Sequence, residues 1–178
     1  MKKKKWRYYG SSLQGLGFVF LGMNLMSGAT GPLREYKPFI DLMSQMDNAF
    51  LGILVGAVFT AIVQSAAATT GMLIILAAQN IISLEAGIAM AFGANVGTCA
   101  TAALASIGKP RAAVQVALLH TLFNIIGVLI WLPFIHYFAE FVMQISPQHS
   151  HLVGDARIAK EAPRQLANAH TIFNVVNT

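Results

Sequence analysis

The chain has 178 residues, of which 56% are hydrophobic and only 11% charged. Soluble globular domains carry about 25% charge, so this composition excludes an ordinary soluble domain and points to apolar runs of roughly 20 residues that cross a membrane. The net charge of +5 is no sign of nucleic acid, because Lys2, Lys3, Lys4, Lys5 and Arg7 sit directly before an apolar stretch, and the lone Cys99 rules out an internal disulfide or a cysteine zinc site.

Residues 1–9 read as a basic cytoplasmic flank, with Trp6, Tyr8 and Tyr9 as an interfacial belt. A first crossing is predicted over about 10–30. It is a retained helix and not a cleaved leader, because its run is long and Gln14 and Asn24 interrupt it. Gly15, Gly17, Gly22 and Gly28 predict close approach of another helix. Thr30-Gly31-Pro32 ends or bends this element. Over 33–48, Arg34, Glu35, Lys37, Asp41 and Asp47 alternate with Phe39, Ile40, Leu42, Met43 and Met46, the pattern of a short amphipathic helix on the membrane surface.

Residues 49–84 contain no charge. One continuous helix there would be about 54 Å long, too long for a single crossing. The middle of the run holds Gln64, Ser65, Thr69, Thr70 and Gly71. Two arrangements fit: a re-entrant pair of short helices joined at 64–70, or two crossings of about 17 residues with a tight turn. The hairpin is preferred, because an aqueous turn would carry charge, Pro or Asn-Gly. Ser83 before Leu84-Glu85-Ala86 is an N-cap. A crossing follows over 86–107 and stops at Gly108-Lys109-Pro110-Arg111, a short cytoplasmic loop. Another crossing spans 112–133, with His136, Tyr137 and Glu140 at the interface. Residues 146–165 form a polar linker, and the spacing of His136, His149 and His151 matches no defined metal site. The distribution of Lys and Arg places the N-terminus and the 108–111 loop inside, which makes a multi-pass protein of the cell inner or plasma membrane.

His120-Thr121-Leu122-Phe123-Asn124 returns as His170-Thr171-Ile172-Phe173-Asn174. Such an echo predicts a repeated design. Residues 10–145 would be a first repeat, and 166–178 the truncated start of a second.

Three features carry a resemblance. They are Gln64-Ser65 opening a small-residue string that ends Ala68-Thr69-Thr70, the string Gly93-Ala94-Asn95-Val96-Gly97-Thr98, and the two His-Thr-x-Phe-Asn segments. Together they resemble the sodium-phosphate cotransporter family, the type II group and its bacterial relatives. That resemblance implies an all-α polytopic membrane protein, here half of an inverted-repeat transporter with a re-entrant hairpin. It implies sodium-coupled transport of inorganic phosphate. By the same resemblance the partners are sodium, phosphate, the bilayer and the remaining half of its own polypeptide, with no nucleic acid; pairing of two copies is a second way to complete the cavity. The family signature continues with serines where this chain has Ala66 and Ala67.

Gln64, Ser65, Thr69, Thr70, Asn95 and Thr98 are the candidate substrate and ion ligands, with Gln64 and Ser65 assigned to sodium as coupling ion. Asn24, His120, Asn124 and Asn174 are secondary candidates. The chemistry suits a small anion and a cation. Hydroxyl, amide and freed carbonyl oxygens ligate sodium, while the N-termini of broken helices point N–H groups at an anion. Carriage of another small anion and a non-transporting scaffold are the alternatives. No nucleophile, base and acid converge, so no enzyme and no organic cofactor is expected.

Overall fold

The computed structural model describes residues 2–178, with side chains from Lys5 onward. Every regular element among the described residues is helical. Three stretches, Lys5–Arg34, Leu84–Ser106 and Arg111–Ile145, are long and apolar enough to cross a membrane. The side chains of Lys2, Lys3 and Lys4, central to the predicted basic flank, lie outside the described residues.

Helix α1 (Lys2–Thr30) corrects one expectation. A Cβ placed on Gly15, Gly17, Gly22 or Gly28 meets nothing within 4 Å. Small residues permit a close approach but do not compel one. Among the described residues the hydrogen bonds that hold α1 to the bundle lie in its last turn: the Gln79 amide donates to the Thr30 hydroxyl (3.0 Å) and to the Ser27 carbonyl (3.3 Å). The surface segment is also not a single helix. It is a 3-10 turn over Gly31–Arg34, helix α2 (Lys37–Ser44) and a second 3-10 turn over Gln45–Asp47. Pro32 and Pro38 each sit in the first turn of a new piece, where a missing N–H costs nothing but the preceding helix cannot continue.

Helix α3 (Ala49–Val63) starts at Asn48, whose side chain accepts from the Leu51 N–H at 3.2 Å. Helix α4 (Ala66–Ala78) follows after a two-residue break. Ser83 caps helix α5 (Leu84–Gly97) as its sequence predicts, accepting from the Ala86 N–H at 3.1 Å. The same hydroxyl donates to Asp47 Oδ1 at 2.7 Å, which ties the start of α5 to the start of α3.

The crossing expected over 86–107 is divided. Helix α6 (Cys99–Ser106) is set off from α5 at Thr98. There the Thr98 hydroxyl donates to the Asn95 carbonyl at 2.6 Å and the Thr101 N–H turns back to the Thr98 carbonyl at 3.2 Å. Hydroxyls that compete for backbone acceptors loosen the regular ladder in this way. Gly108, with φ +70°, stops the segment in a conformation that favours glycine. Helix α7 (Arg111–Trp131) ends in a 3-10 turn over Leu132–Phe134 around Pro133, and helix α8 (Ile135–Ile145) continues from it. Helix α9 (Asp155–Val176) begins inside the stretch read as polar linker and runs unbroken into the second His-Thr-x-Phe-Asn copy. Glu161 accepts from the His149 N–H and from Arg157 Nε (2.9 Å), folding the preceding loop back onto the first turns of α9.

Helix α4 packs its Leu73, Leu76 and Ala77 into the core against α5 and α9, and two further contacts complete it. Helices α3 and α5 lie parallel: Gly52 faces Ala89, Gly56 faces Met90, Gly93 faces Ile53 and Ala57, and Gly97 faces Ala57 and Thr60. Helices α8 and α9 and the end of α7 close over α5 with aromatic rings. Phe92 stacks on Phe173 at 4.1 Å between ring centres, and Trp131 packs on Phe138 at 4.7 Å.

A Cβ on Gly93 would overlap the Ile53 carbonyl oxygen, and one on Gly56 the Met90 carbonyl oxygen. Gly93→Ala or Gly56→Ala is expected to destabilise the chain by about 3 kcal/mol or more, beyond the usual cost of overpacking because rigid backbone is the obstacle. Gly15→Ala and Gly17→Ala meet no neighbour and are expected to raise the midpoint slightly, because alanine favours a helix interior by about 1 kcal/mol over glycine; thermal melts in detergent check both. The His149 N–H, and then Arg157, hold the Glu161 carboxyl below its ordinary value of 4.5. Its contribution to stability is therefore complete above pH 4.5 and lost as pH falls through the lower, folded value. Glu161→Gln is expected to flatten the dependence of the melting midpoint on pH below 4.5 and to leave its slope near neutrality unchanged.

Candidate functional site

The site forms where two helix interruptions meet. Helix α3 ends as Gln64 enters the left-handed region, φ 57° and ψ 27°, with its N–H on the Thr60 carbonyl at 2.7 Å. A non-glycine residue there costs about 1–2 kcal/mol, and such strain persists where the surroundings enforce it. Ser65 is extended and caps α4: its hydroxyl accepts from the Ala68 N–H at 3.2 Å and its carbonyl from the Thr69 N–H at 3.0 Å. The Ala66 and Ala67 N–H groups are the first two of α4 and have no intrahelical acceptor. The break is narrower than the sequence suggested. Thr69 and Thr70 are not in the joint but inside the first turns of α4.

A short chain of hydroxyls ties the end of α3 to the start of α4 across this break. Thr60 donates to Thr69 Oγ1 at 2.9 Å, and Thr69 donates onward to the Ser65 carbonyl at 3.1 Å. Thr60 and Thr69 are both buried. Gly97 packs directly on Thr60 and on the Ala57 carbonyl, and Thr98, the offset between α5 and α6, is the next residue. The polar strings at 64–70 and 95–98 thus stand at one level of the bundle. The Asp47–Ser83 bond fixes that level, because it starts α3 and α5 side by side.

The six principal candidates differ in what they offer. Gln64 is exposed and Ser65 half-buried. The Thr70 hydroxyl is buried with no hydrogen-bond partner among the described residues. Asn95 is half-buried and donates to its own helix at the Ala91 carbonyl, 3.0 Å, leaving its amide oxygen without a donor among the described residues. Thr98 also bonds within its helix.

The secondary candidates are scattered. Asn24 lies on the exposed part of α1 and is not brought to the break. Asn124 and Asn174 donate to the His120 and His170 carbonyls at 3.0 and 2.7 Å. His120 adjoins the second interruption through its backbone, with Cys99 Sγ 3.9 Å from its carbonyl, while its ring is turned outward and exposed. The sequence reading missed Thr60, whose hydroxyl bonds to Thr69 and whose Cβ packs against Gly97, beside the second string. Its signal was the spacing Gly52-x-x-x-Gly56 and Gly93-x-x-x-Gly97, which marks two faces able to meet backbone to backbone.

A profile of the Na+/Pi-cotransporter family matches residues 38–146, more than half of the chain and the whole of both interruptions. The chain belongs to this family. It is similar to the uncharacterized protein YqeW of Bacillus subtilis (strain 168), 33% identical over 168 residues that make up 94% of this chain and 50% of that protein. It is also similar to the sodium-dependent phosphate transport protein 2B of Rattus norvegicus and of Homo sapiens. Each is 42% identical over 90 residues, 48% of this chain and 13% of the relative. The chain therefore spans about half the length of the bacterial relative and a far smaller share of the mammalian ones. No solved structure matches. Membership of the Na+/Pi-cotransporter family, together with the three apolar stretches, makes this a membrane protein of a transporter family and not of an enzyme family.

The hydroxyl chain sets an order of effects. Thr69→Val strands the buried Thr60 hydroxyl and is expected to cost about 1–3 kcal/mol. Thr60→Val leaves Thr69 its bond to the Ser65 carbonyl and should cost less. The double variant should be no less stable than Thr69→Val alone, and a double-mutant cycle of melting midpoints would read the coupling.

Proposed function

We propose that this chain is one half of a sodium-coupled carrier of inorganic phosphate, with the Gln64–Ser65 break as the tip of a re-entrant hairpin at the binding site. The observation that carries the reading is the meeting of two helix interruptions in a stretch where no Lys or Arg occurs from 51 to 108. Helices of 15 and 13 residues reach about 22 and 20 Å, short of the roughly 30 Å of hydrocarbon. The Asp47–Ser83 bond supports entry and return on one side, since it sets the beginning of α3 beside the segment that follows α4. Helix α6 then carries the chain past the tip to the cytoplasmic side at Lys109 and Arg111, opposite residues 31–48.

In this reading sodium takes oxygen ligands from Gln64, the Ser65, Thr69 and Thr70 side chains and the unpaired carbonyls that end α3. Phosphate takes the Ala66 and Ala67 N–H groups at the positive end of α4, with Asn95 and Thr98 facing it from the second interruption. Without a basic side chain nearby, bound sodium offsets the charge of the anion, which makes the two bind together. Residues 10–145 act as the first repeat. The mammalian relatives are named for sodium-dependent phosphate transport, and the 42% identity supports carrying that activity over. One residue-level fact favours a second reading, transport of another small anion: Ala66 and Ala67 stand where the family resemblance has serine hydroxyls.

Liposomes holding the full gene product test this. Radiolabelled phosphate uptake is expected to require an inward sodium gradient, and Gln64→Ala with Ser65→Ala is expected to lower its initial rate by at least about tenfold, the effect of losing roughly 1.4 kcal/mol or more of site binding energy. Uptake unchanged in choline would sink sodium coupling. Stronger inhibition by sulfate or a small carboxylate than by unlabelled phosphate would favour the second reading. A related variant separates strain from chemistry. Gln64→Gly is expected to raise the melting midpoint, by relief of about 1 kcal/mol of left-handed strain, while abolishing uptake.

A further inference from the structure

The two His-Thr-x-Phe-Asn segments share their internal bonds and differ in their surroundings. In each, the threonine hydroxyl donates four residues back, Thr121 to the Ala117 carbonyl at 2.8 Å and Thr171 to the Ala167 carbonyl at 2.9 Å. In each, the asparagine amide donates to the histidine carbonyl. The same face of the two helices, however, meets different neighbours. On α9, Leu166, Ala169 and Phe173 are 0%, 1% and 3% exposed in the core, with Leu166 against Gly87 and Phe173 stacked on Phe92. At the matching positions of α7, Val116, Leu119 and Phe123 are 66%, 67% and 56% exposed.

His120 lies on this uncovered side. It is the tenth of the 21 residues of α7, so about 14 Å from the helix start at 1.5 Å per residue and near the middle of a crossing. Its exposed ring makes no hydrogen bond among the described residues. An ionisable ring at that depth faces protein or a water-filled cavity in a stable fold, because hydrocarbon solvates it poorly.

We infer that the face of α7 made by Val116, Leu119, His120 and Phe123 is an internal interface of the protein, covered by helices of the same polypeptide beyond residue 178, and not a lipid-facing surface. The inference rests on the reading of this chain as one half. Two observations select the occupant. The bacterial relative is about twice as long as the stretch that matches, so it holds as many residues again to supply a covering element. A second copy of this chain is a poor occupant, because the aromatic surface of its α5 that accepts such a face is already filled by its own α9.

Photo-cross-linking in native membranes tests the assignment. The photoreactive amino acid p-benzoylphenylalanine is placed singly at 119, at 123 and, as a reference, at 173 in the full gene product. After irradiation, products are sized on denaturing gels and mapped by mass spectrometry. Position 173 is expected to link to peptides of α5, which verifies the fold of the labelled protein. Positions 119 and 123 are expected to link within one chain to peptides that follow residue 178. Links mainly to lipid, dimer-sized products joining two copies, or no product at 119 and 123 while 173 reacts would each overturn the inference. The readout is proximity and needs no transport, so a protein that gives the expected links without sodium-driven uptake would refute the proposed function and leave this interface standing.

Discussion

Gly56 on α3 meets the Met90 backbone on α5, and Gly93 and Gly97 on α5 meet the backbone of Ile53 and Ala57 on α3, while Gly52 rests against Ala89. In lipid the hydrophobic effect does little to hold two apolar helices together, since acyl chains are as apolar as leucine; close dispersion contact and hydrogen bonds must do it. Glycine at four-residue spacing is what allows that distance. The contact is rigid because the nearest atom opposing Gly56, Gly93 and Gly97 is a backbone carbonyl oxygen and not the end of a flexible side chain. Once α3 and α5 lie parallel in this register, the end of α3 is carried to Gly97, and the interruptions at Gln64–Ser65 and Thr98 fall at one level.

That alignment makes the polar groups affordable in an apolar segment. A break in a buried helix exposes carbonyls at one end and N–H groups at the other, and each costs free energy unless partnered. Ser65 caps with both its hydroxyl and its carbonyl, and Thr60 and Thr69 pass a hydrogen bond from α3 to the joint. What remains unpartnered among the described residues, the carbonyls that end α3, the Ala66 and Ala67 N–H groups and the Thr70 hydroxyl, is confined to the break and the first turns of α4.

The repeated segment shows how far identical local chemistry leaves the environment open. Both copies fold as helix, and both turn threonine and asparagine onto their own backbone in the same way. Those bonds are set within one turn. Burial is set by what else arrives, and α9 reaches the aromatic cluster of Phe92, Trp131 and Phe138 while α7 presents the equivalent side chains outward.

The sequence by itself determined the all-helical membrane class, the interruption after Val63, the Ser83 cap and the stop at Gly108. Each depends on apolar run length or on a side chain that bonds within about four residues, and such terms are readable along a line. The prolines at 32 and 38 carried the division of the surface segment in the same local way, although alternation of charged and apolar residues masked it. Only tertiary structure decided that the glycines of α1 stay uncovered while those of α3 and α5 interlock, and that Thr60 lies between Thr69 and Gly97. These outcomes depend on which helix arrives at a given face and in what register, and glycine or threonine in sequence permits a contact without naming its partner.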